Sequence, residues 1–451
     1  MTASLNRRFF LRTMGMLGGL SGIRSHALLS QADSKEIRIG IIGTGVRGIY
    51  LTERSLHHRG VKITAVCDIV EERAKRAQQV VEKARGYRPV AYTRGPEDYK
   101  RMLERNDIDA VLILTPWNQH AAQAVASMRA GKHVGSETPP AWTLDECWEL
   151  VETKEKTGQR YMLLENYPYS RSNMMILNMA HTGAFGEVTY GECSYLHDIR
   201  FLNFDTEKAG EWSYRKDSSL LFRGELTRDY RGDLYPTHGL GPMSLWMGIN
   251  RGDRLVSMVS MDNSTKSSQA YVVENFGKDH HAAREGFFKM RDTTVSLIRT
   301  SEERMIVLRN DMCSPRPAGG WAELQGTKGC YDNSPGGESV YLEGRSPTHR
   351  WESLDQYRAE FEHPFWKKDG ELASKTGHGG GDHFVLREFF NALAENREPP
   401  IDVYDAATWS VVLPLSAESM NKGNKPMEFP DFTKGAWKTR KLERFGINET
   451  G

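Results

Sequence analysis

Two tyrosine–histidine pairs in this sequence are spaced to move protons. Tyr195 and His197 lie two apart in Gly191 to Asp198, a stretch that reads as a β-strand. Alternate strand residues project from one face, so Cys193, Tyr195 and His197 point the same way. Tyr235 and His238 are separated by Pro236-Thr237, in a glycine-flanked turn that reads as leading into an apolar helix from Leu240 through Met247. Residues three apart in such a turn can converge on one ligand. A neutral imidazole titrates in the range useful for acid–base work. Each pair also has a purely structural reading, as the polar edge of a half-buried sheet and as a helix-capping turn.

A second constellation points to a nucleotide. Gly43-Thr44-Gly45-Val46-Arg47-Gly48 follows the β-branched run Ile37 to Ile42 and precedes a helical stretch, Val46 through Ser55. The glycines let the backbone approach a pyrophosphate, which then sits on the helix N-terminus. The next strand, Lys62 to Cys67, ends in Asp68, about 20 residues beyond the glycines, where an acid meets the adenosine ribose hydroxyls. A carboxylate there favours NAD over NADP, because it would repel a 2′-phosphate. No HExxH, CxxC or Asp-rich loop is present, so no metal site is expected.

These groups need strands and helices to hold them, and the alternation supplies both. Ile108 to Leu114 is continuously apolar, as a buried parallel strand is, and ends in the loop Thr115-Pro116-Trp117-Asn118-Gln119-His120. A helix from Ala121 to Ala130, a short strand at His133-Val134 and the loop Glu137-Thr138-Pro139 follow. A Glu- and Lys-rich helix then leads to the strand Tyr161 to Leu164, which ends in Glu165-Asn166. Residues 35–165 thus read as a doubly wound domain. Residues 166–451 read as an α+β domain with an open, mainly antiparallel sheet. Thr293-Val295-Leu297 and Met305-Val307-Leu308 form a hairpin around Thr300 to Glu303, with a further strand at Trp321 to Gln325. Glu398 through Ser419 reads as a helix returning to the nucleotide domain. Open sheets of this kind shield a face by pairing with another subunit, so a homodimer or higher homo-oligomer is expected.

Residues 1–34 read as a leader and linker. Asn6-Arg7-Arg8-Phe9-Phe10-Leu11-Arg12 is a twin-arginine export signal, and Ser25-His26-Ala27 offers a small-residue cleavage site. The apolar stretch is too short to anchor the chain in a bilayer. An exported, periplasmic or extracellular protein is expected. The net charge of +1, from 60 basic and 59 acidic residues, gives no global field for nucleic acid or a membrane surface. Five scattered cysteines read as buried thiols. A captive dinucleotide outside the cytoplasm has no soluble pool to restore it, so the expected chemistry borrows a hydride and returns it.

The loop order resembles the Gfo/Idh/MocA sugar oxidoreductases, whose third loop commonly reads Glu-Lys-Pro with a catalytic lysine. Here Thr138 replaces that lysine. The segment Arg231 to Pro242 resembles glycoside hydrolase family 109, NAD-dependent glycosidases on the same frame. Trp117, His120, Leu164-Glu165-Asn166-Tyr167, Tyr195-Leu196-His197-Asp198, Ser314-Pro315-Arg316-Pro317, Gly326-Thr327-Lys328-Gly329 and Gly377-His378-Gly379-Gly380 also fit. The resemblance implies a glycosidase, α-N-acetylgalactosaminidase-like, acting on an N-acetylhexosaminide or related glycoside. In the cycle it implies, NAD⁺ oxidises C3, a base removes the C2 proton, the C1 substituent leaves, water adds and C3 is reduced. His238 with Tyr235 would manage the O3 proton. Tyr195, if its pKa is depressed, would take the C2 proton, and His197 would polarise it or assist the leaving group. Glu165 and Arg223 would bind substrate. Gly43, Gly45, Val46, Arg47, Gly48, Asp68, Trp117, His120, Glu137, Thr138 and Asn166 would bind cofactor. One departure is Ala318-Gly319-Gly320, where the family tends to carry an aromatic. A periplasmic NAD-dependent sugar oxidoreductase and a non-catalytic sugar-binding protein are the alternatives.

Overall fold

A computed structural model describes residues 36–58, 60–204, 221–334, 336–441 and 445; the segment read as a leader with an export signal lies outside them. The described residues belong to one unit that begins at Glu36.

The first half alternates strand and helix. β1 (Ile37–Ile42), α1 (Val46–Ser55), β2 (Val61–Cys67), α2 (Glu71–Arg85), β3 (Val90–Tyr92) and α3 (Asp98–Leu103) build one wing. β4 (Ala110–Ile113), α4 (His120–Arg129), β5 (His133–Ser136), α5 (Leu144–Thr157) and β6 (Tyr161–Leu163) build the other. The strands form a parallel sheet in the order β3-β2-β1-β4-β5-β6. Helices on both faces explain why β4 is apolar at every position and fully buried. α5 starts where it does because Thr143 and Glu146 close a capping box on each other's backbone N–H. The order of pairing reverses between β1 and β4, which places the ligand crevice at their carboxyl ends.

After α6 (Arg171–His181) the chain enters a nine-stranded sheet. Its members are β7 (Val188–Leu196), then, beyond α7 (Phe222–Asp229) and α8 (Thr237–Trp246), β8 (Leu255–Asp262). Past α9 (Lys266–Phe276) come β9 (Thr293–Thr300), β10 (Met305–Asp311), β11 (Ala322–Gly326), β12 (Gly329–Asp332), β13 (Ser339–Leu342) and β14 (Glu352–Ser353). The helices α10 (Arg358–Phe361), α11 (Pro364–Ala373), α12 (Gly381–Ala394), α13 (Val403–Ser410) and α14 (Val412–Asn421) precede the last strand, β15 (Met427–Glu428). The order is β14-β13-β12-β11-β7-β10-β9-β8-β15. All neighbours are antiparallel except β7 and β10, which run parallel.

The expected hairpin is β9–β10. Two expectations shift. The helix read as beginning at Leu240 begins at Thr237, so His238 lies in its first turn and not in the loop before it. Pro242 sits inside that helix, at a position its apolar surroundings accept by burying the whole helix. The returning helix is two helices, α13 and α14, parted at Val411. α13 packs against α5 and β6, so the tail does return to the nucleotide half. All five cysteines are free thiols, four of them buried and Cys330 half-buried. Among the described residues no helix is long and apolar enough to cross a membrane.

Candidate active site

The glycine turn at the end of β1 is shaped for a pyrophosphate. Gly43 has φ +91, and a Cβ there would lie 2.6 Å from the Leu114 carbonyl oxygen. A Cβ at Gly48 would lie 2.2 Å from the Gly43 carbonyl oxygen, so only glycine lets α1 pack this close to the strand end. Gly45 faces open space, and α1 has no side-chain cap. Its first N–H groups therefore point outward without intrahelical partners. Asp68, at the end of β2, accepts the Thr44 N–H at 2.7 Å and the Val70 N–H at 2.9 Å. A carboxylate accepts more hydrogen bonds than these, so it can hold the turn and still receive ribose hydroxyls. Asn166 offers a further acceptor, since its Oδ1 is buried without a partner. These features fit a dinucleotide.

Two expected cofactor contacts turn out to brace the crevice. The His120 ring is fully buried, with Nδ1 2.8 Å from the Pro139 carbonyl and Nε2 2.8 Å from the Thr115 carbonyl. Burial lowers its pKa, so the ring carries one N–H, which it donates to one of the two carbonyls from its place between the β4 and β5 loops. Arg47 turns away from the helix axis to Glu137 (2.6 Å) and Asp382 (2.8 Å). Burial alone would lower its pKa; the two carboxylates outweigh that and raise it.

Around the end of β6 the four proton-carrying residues come together. His238 Nδ1 lies 2.9 Å and 2.8 Å from the two oxygens of Glu165, which is fully buried. A carboxylate only accepts here, so Nδ1 carries a proton and donates it to Glu165. Burial pushes the Glu165 pKa up, but the facing His238 and the Tyr167 N–H more than reverse this, and the group is held below its ordinary range. The His238 ring stacks on Tyr167 at 4.2 Å and meets Tyr195 and Tyr235 edge-on at 5.0 Å and 4.6 Å. Tyr195, near the end of β7, places its hydroxyl 3.1 Å from His197 Nδ1. Strand β7 stops at Leu196, one residue short of His197, which lets that ring turn back toward the tyrosine.

The depressed pKa that Tyr195 would need as a lone base is not found: burial raises it, with Arg223 opposing. His197 is lowered by burial, Asp198 opposing, and so is neutral near pH 7. Of this pair the imidazole is the stronger base, and the geometry allows the phenol to donate to it.

Tyr235 is fixed at both ends. Its N–H donates to Asp233 Oδ1 at 3.0 Å, and its hydroxyl lies 2.8 Å from Thr138 Oγ1. Thr138 thus occupies the lysine position of the third loop by bonding a tyrosine from the second domain. Trp117 packs on Tyr235 at 5.2 Å and carries the Arg223 guanidinium 4.2 Å above its ring. Arg223 has no carboxylate partner among the described residues, and burial lowers its pKa. Tyr167 and Asp233 lie within matching motifs but carry no assigned role in the sequence, and Asp382 lies in none of them. Tyr167 adjoins Glu165-Asn166 and was within reach; Asp382 lies over 200 positions away, and only folding brings it close. Thr138→Val is expected to cost about 1 kcal/mol of Tyr235 positioning, read as a roughly fivefold fall in kcat with NAD content unchanged.

Residues 169–439 match the family model "Glycosyl hydrolase 109, C-terminal domain", and residues 37–165 match "Oxidoreductase family, NAD-binding Rossmann fold". A glycosyl hydrolase family 109 protein of Solibacter usitatus is 41% identical over 443 residues, covering 95% of this chain and 98% of the relative. An α-N-acetylgalactosaminidase of Shewanella oneidensis is 36% identical over 409 residues, covering 90% of this chain and 87% of the relative. Among solved structures, a levoglucosan dehydrogenase in complex with NADH and L-sorbose superposes with a TM-score of 0.68 at 18% identity. That match covers 88% of this chain and 100% of the other, a likeness of fold.

Proposed function

The chain belongs to glycosyl hydrolase family 109, and from that premise we propose that it cleaves an N-acetylhexosaminide, an α-N-acetylgalactosaminide foremost, by a redox-neutral cycle at C3, C2 and C1. It is an NAD-dependent glycoside hydrolase with the Rossmann domain of the Gfo/Idh/MocA oxidoreductases. The relative named α-N-acetylgalactosaminidase supports the choice of sugar.

The observation that carries the mechanism is the convergence of two separate proton-transfer units. The Glu165–His238 dyad and the Tyr195–His197 pair meet at 5.0 Å between the His238 and Tyr195 rings. When bound, NAD supplies reversible oxidation at C3 of the sugar, with no net change over a turnover. His238 Nε2 accepts the O3 proton as C3 becomes a ketone, and Glu165 stabilises the imidazolium that results. The ketone acidifies the C2 proton. His197 takes the Tyr195 hydroxyl proton as the phenolate oxygen takes the proton from C2, so the phenol needs no low pKa of its own. The C1–O bond breaks as the C1=C2 bond forms, and the His197 imidazolium protonates the departing oxygen, which leaves as an alcohol. Water adds to C1 and gives its proton to His197, Tyr195 returns a proton to C2 and is reprotonated by His197, and His238 returns one to O3. The sum is one glycosidic bond and one water consumed. Tyr167, stacked on His238, shields the dyad from water.

The test is hydrolysis of a p-nitrophenyl N-acetylgalactosaminide in deuterated water. Deuterium at C2 of the released sugar is the expected result. Hydrolysis with no label at C2 would overturn the elimination, and stoichiometric oxidised sugar would make the chain an oxidoreductase. Because the cycle needs no outside dinucleotide, it suits the export read from the leader, which we include in the proposal. The outer face of the second sheet exposes Met261, Leu297 and Met305, which supports the reading of a homo-oligomer.

A further inference from the structure

The buried carboxylate of Asp382 plays no part in the proton transfers, yet it joins more segments than any group in the reaction. Its Oδ1 accepts Arg47 Nη2 at 2.8 Å and Asn166 Nδ2 at 2.8 Å, and its Oδ2 lies 2.7 Å from His378 Nδ1. Arg47 belongs to the first turn of α1, and its Nε reaches Glu137 beyond β5. Asn166 follows β6. The three ends that flank the dinucleotide crevice are therefore tied to one residue at the start of α12.

The segment leading to Asp382 is built for close approach. Gly377 donates its N–H to the Tyr50 hydroxyl at 2.6 Å, one turn along α1 from Arg47. His378, Gly379 and Gly380 are consecutive left-handed residues, with φ of 51, 61 and 91. A Cβ at Gly381 would lie 2.3 Å from the Asn166 carbonyl oxygen. An L-residue in the left-handed region is uncommon, so His378 adopts it because its ring is held on Asp382. Burial would raise the Asp382 pKa, but the hydrogen bonds from His378 and Arg47 reverse this and hold it low.

A buried ion pair is a poor source of stability compared with apolar packing, but removing one partner costs heavily, because the other charge is left alone. Such a pair is suited to fixing one arrangement of its segments. We propose that Gly377–Asp382 is a strap that retains the cofactor: it clamps the α1 N-terminus to the β5 and β6 ends, and NAD leaves or enters only when Arg47 and Tyr50 release it. The inference needs only that the crevice holds NAD, and stands whether or not the proposed glycosidic cycle does. It also accounts for Arg47 lying in the glycine fingerprint while spending its charge on protein carboxylates. With Arg47 committed in this way, the pyrophosphate is left to the backbone N–H groups of α1.

The test uses the full NAD-loaded chain and follows exchange against a fluorescent etheno-NAD, with both directions measured by stopped-flow or filtration. Asp382→Asn keeps the shape and removes the charge. It is expected to speed both release and entry at least about tenfold, the fold-change a lost buried charge partner readily supplies. Tyr50→Phe loses only the acceptor for Gly377 and is expected to speed both by about threefold, which keeps the proposal testable if Asp382→Asn fails to fold. Faster release with unchanged entry would make these residues simple affinity contacts and overturn the strap. Unchanged exchange in a folded Asp382→Asn protein, or in Tyr50→Phe, would overturn it as well.

Discussion

Replacing His238 with alanine is expected to lower kcat by about 10²–10⁴-fold, with the chain still folded and still holding NAD. His238 sits in the first turn of α8, and its Nδ1 is committed to Glu165. That leaves Nε2 as the one ring nitrogen able to take the O3 proton. Without it, C3 oxidation stalls before anything else can happen, so the reduced-cofactor absorbance on mixing with substrate should vanish together with product. Full activity in the variant would remove His238 from the mechanism. Glu165→Gln probes the partner. Its depressed pKa means that the charged form is preferred in the folded chain. The stability it contributes is present above the unfolded carboxylate range, about 4.3, and is lost as pH falls through the still lower folded value. The variant should therefore lose part of the acid-side dependence of its melting temperature, measured by a thermal scan across pH.

How far such a site is visible beforehand depends on how far along the chain its parts lie. Gly43, Gly45, Gly48 and Asp68 sit within one β-α-β unit, and local pattern alone places them. Glu165 and Asn166 are legible as strand-end residues for the same reason. His238 could be nominated, but not its partner, because the Glu165 contact spans 73 positions. The start of α8 was misjudged because Pro236, Gly239 and Gly241 all disfavour a helix in isolation. Burial of every residue from Thr237 to Trp246 overrides that preference. His120 is legible as a strand-end loop residue, but its place between two backbone carbonyls is not, since one of them, Pro139, lies 19 positions on. The Tyr195 pKa could not be read at all, since it depends on how much apolar surface the fold places around the ring. Asp382 was invisible for the plainest reason: its partners are 335 and 216 positions away.

Tyr195→Phe is expected to cost activity on the same scale, about 10²–10⁴-fold, but with a different signature. The hydroxyl is lost, while the ring that packs against His238 and Tyr235 stays. C3 oxidation should persist, so reduced-cofactor absorbance builds up on mixing with substrate and decays slowly. Deuterium incorporation at C2 should fall in step with glycoside cleavage, because both wait on the same proton. Loss of the absorbance would instead place Tyr195 in C3 oxidation. The pH dependence follows from the pair and not from the phenol. Burial raises the Tyr195 pKa, so a lone phenolate base would make kcat/KM climb through the alkaline range. A relay to His197 needs only a neutral imidazole, and burial lowers that pKa from 6.5. As pH rises through this lowered value the base becomes available, so kcat/KM should climb below pH 6.5 and level off near neutrality. His197→Ala should move the rise of kcat/KM toward the alkaline range, as the unaided phenol becomes the base. A profile that is unchanged in His197→Ala would assign the acid limb to another group, such as His238, and break the relay.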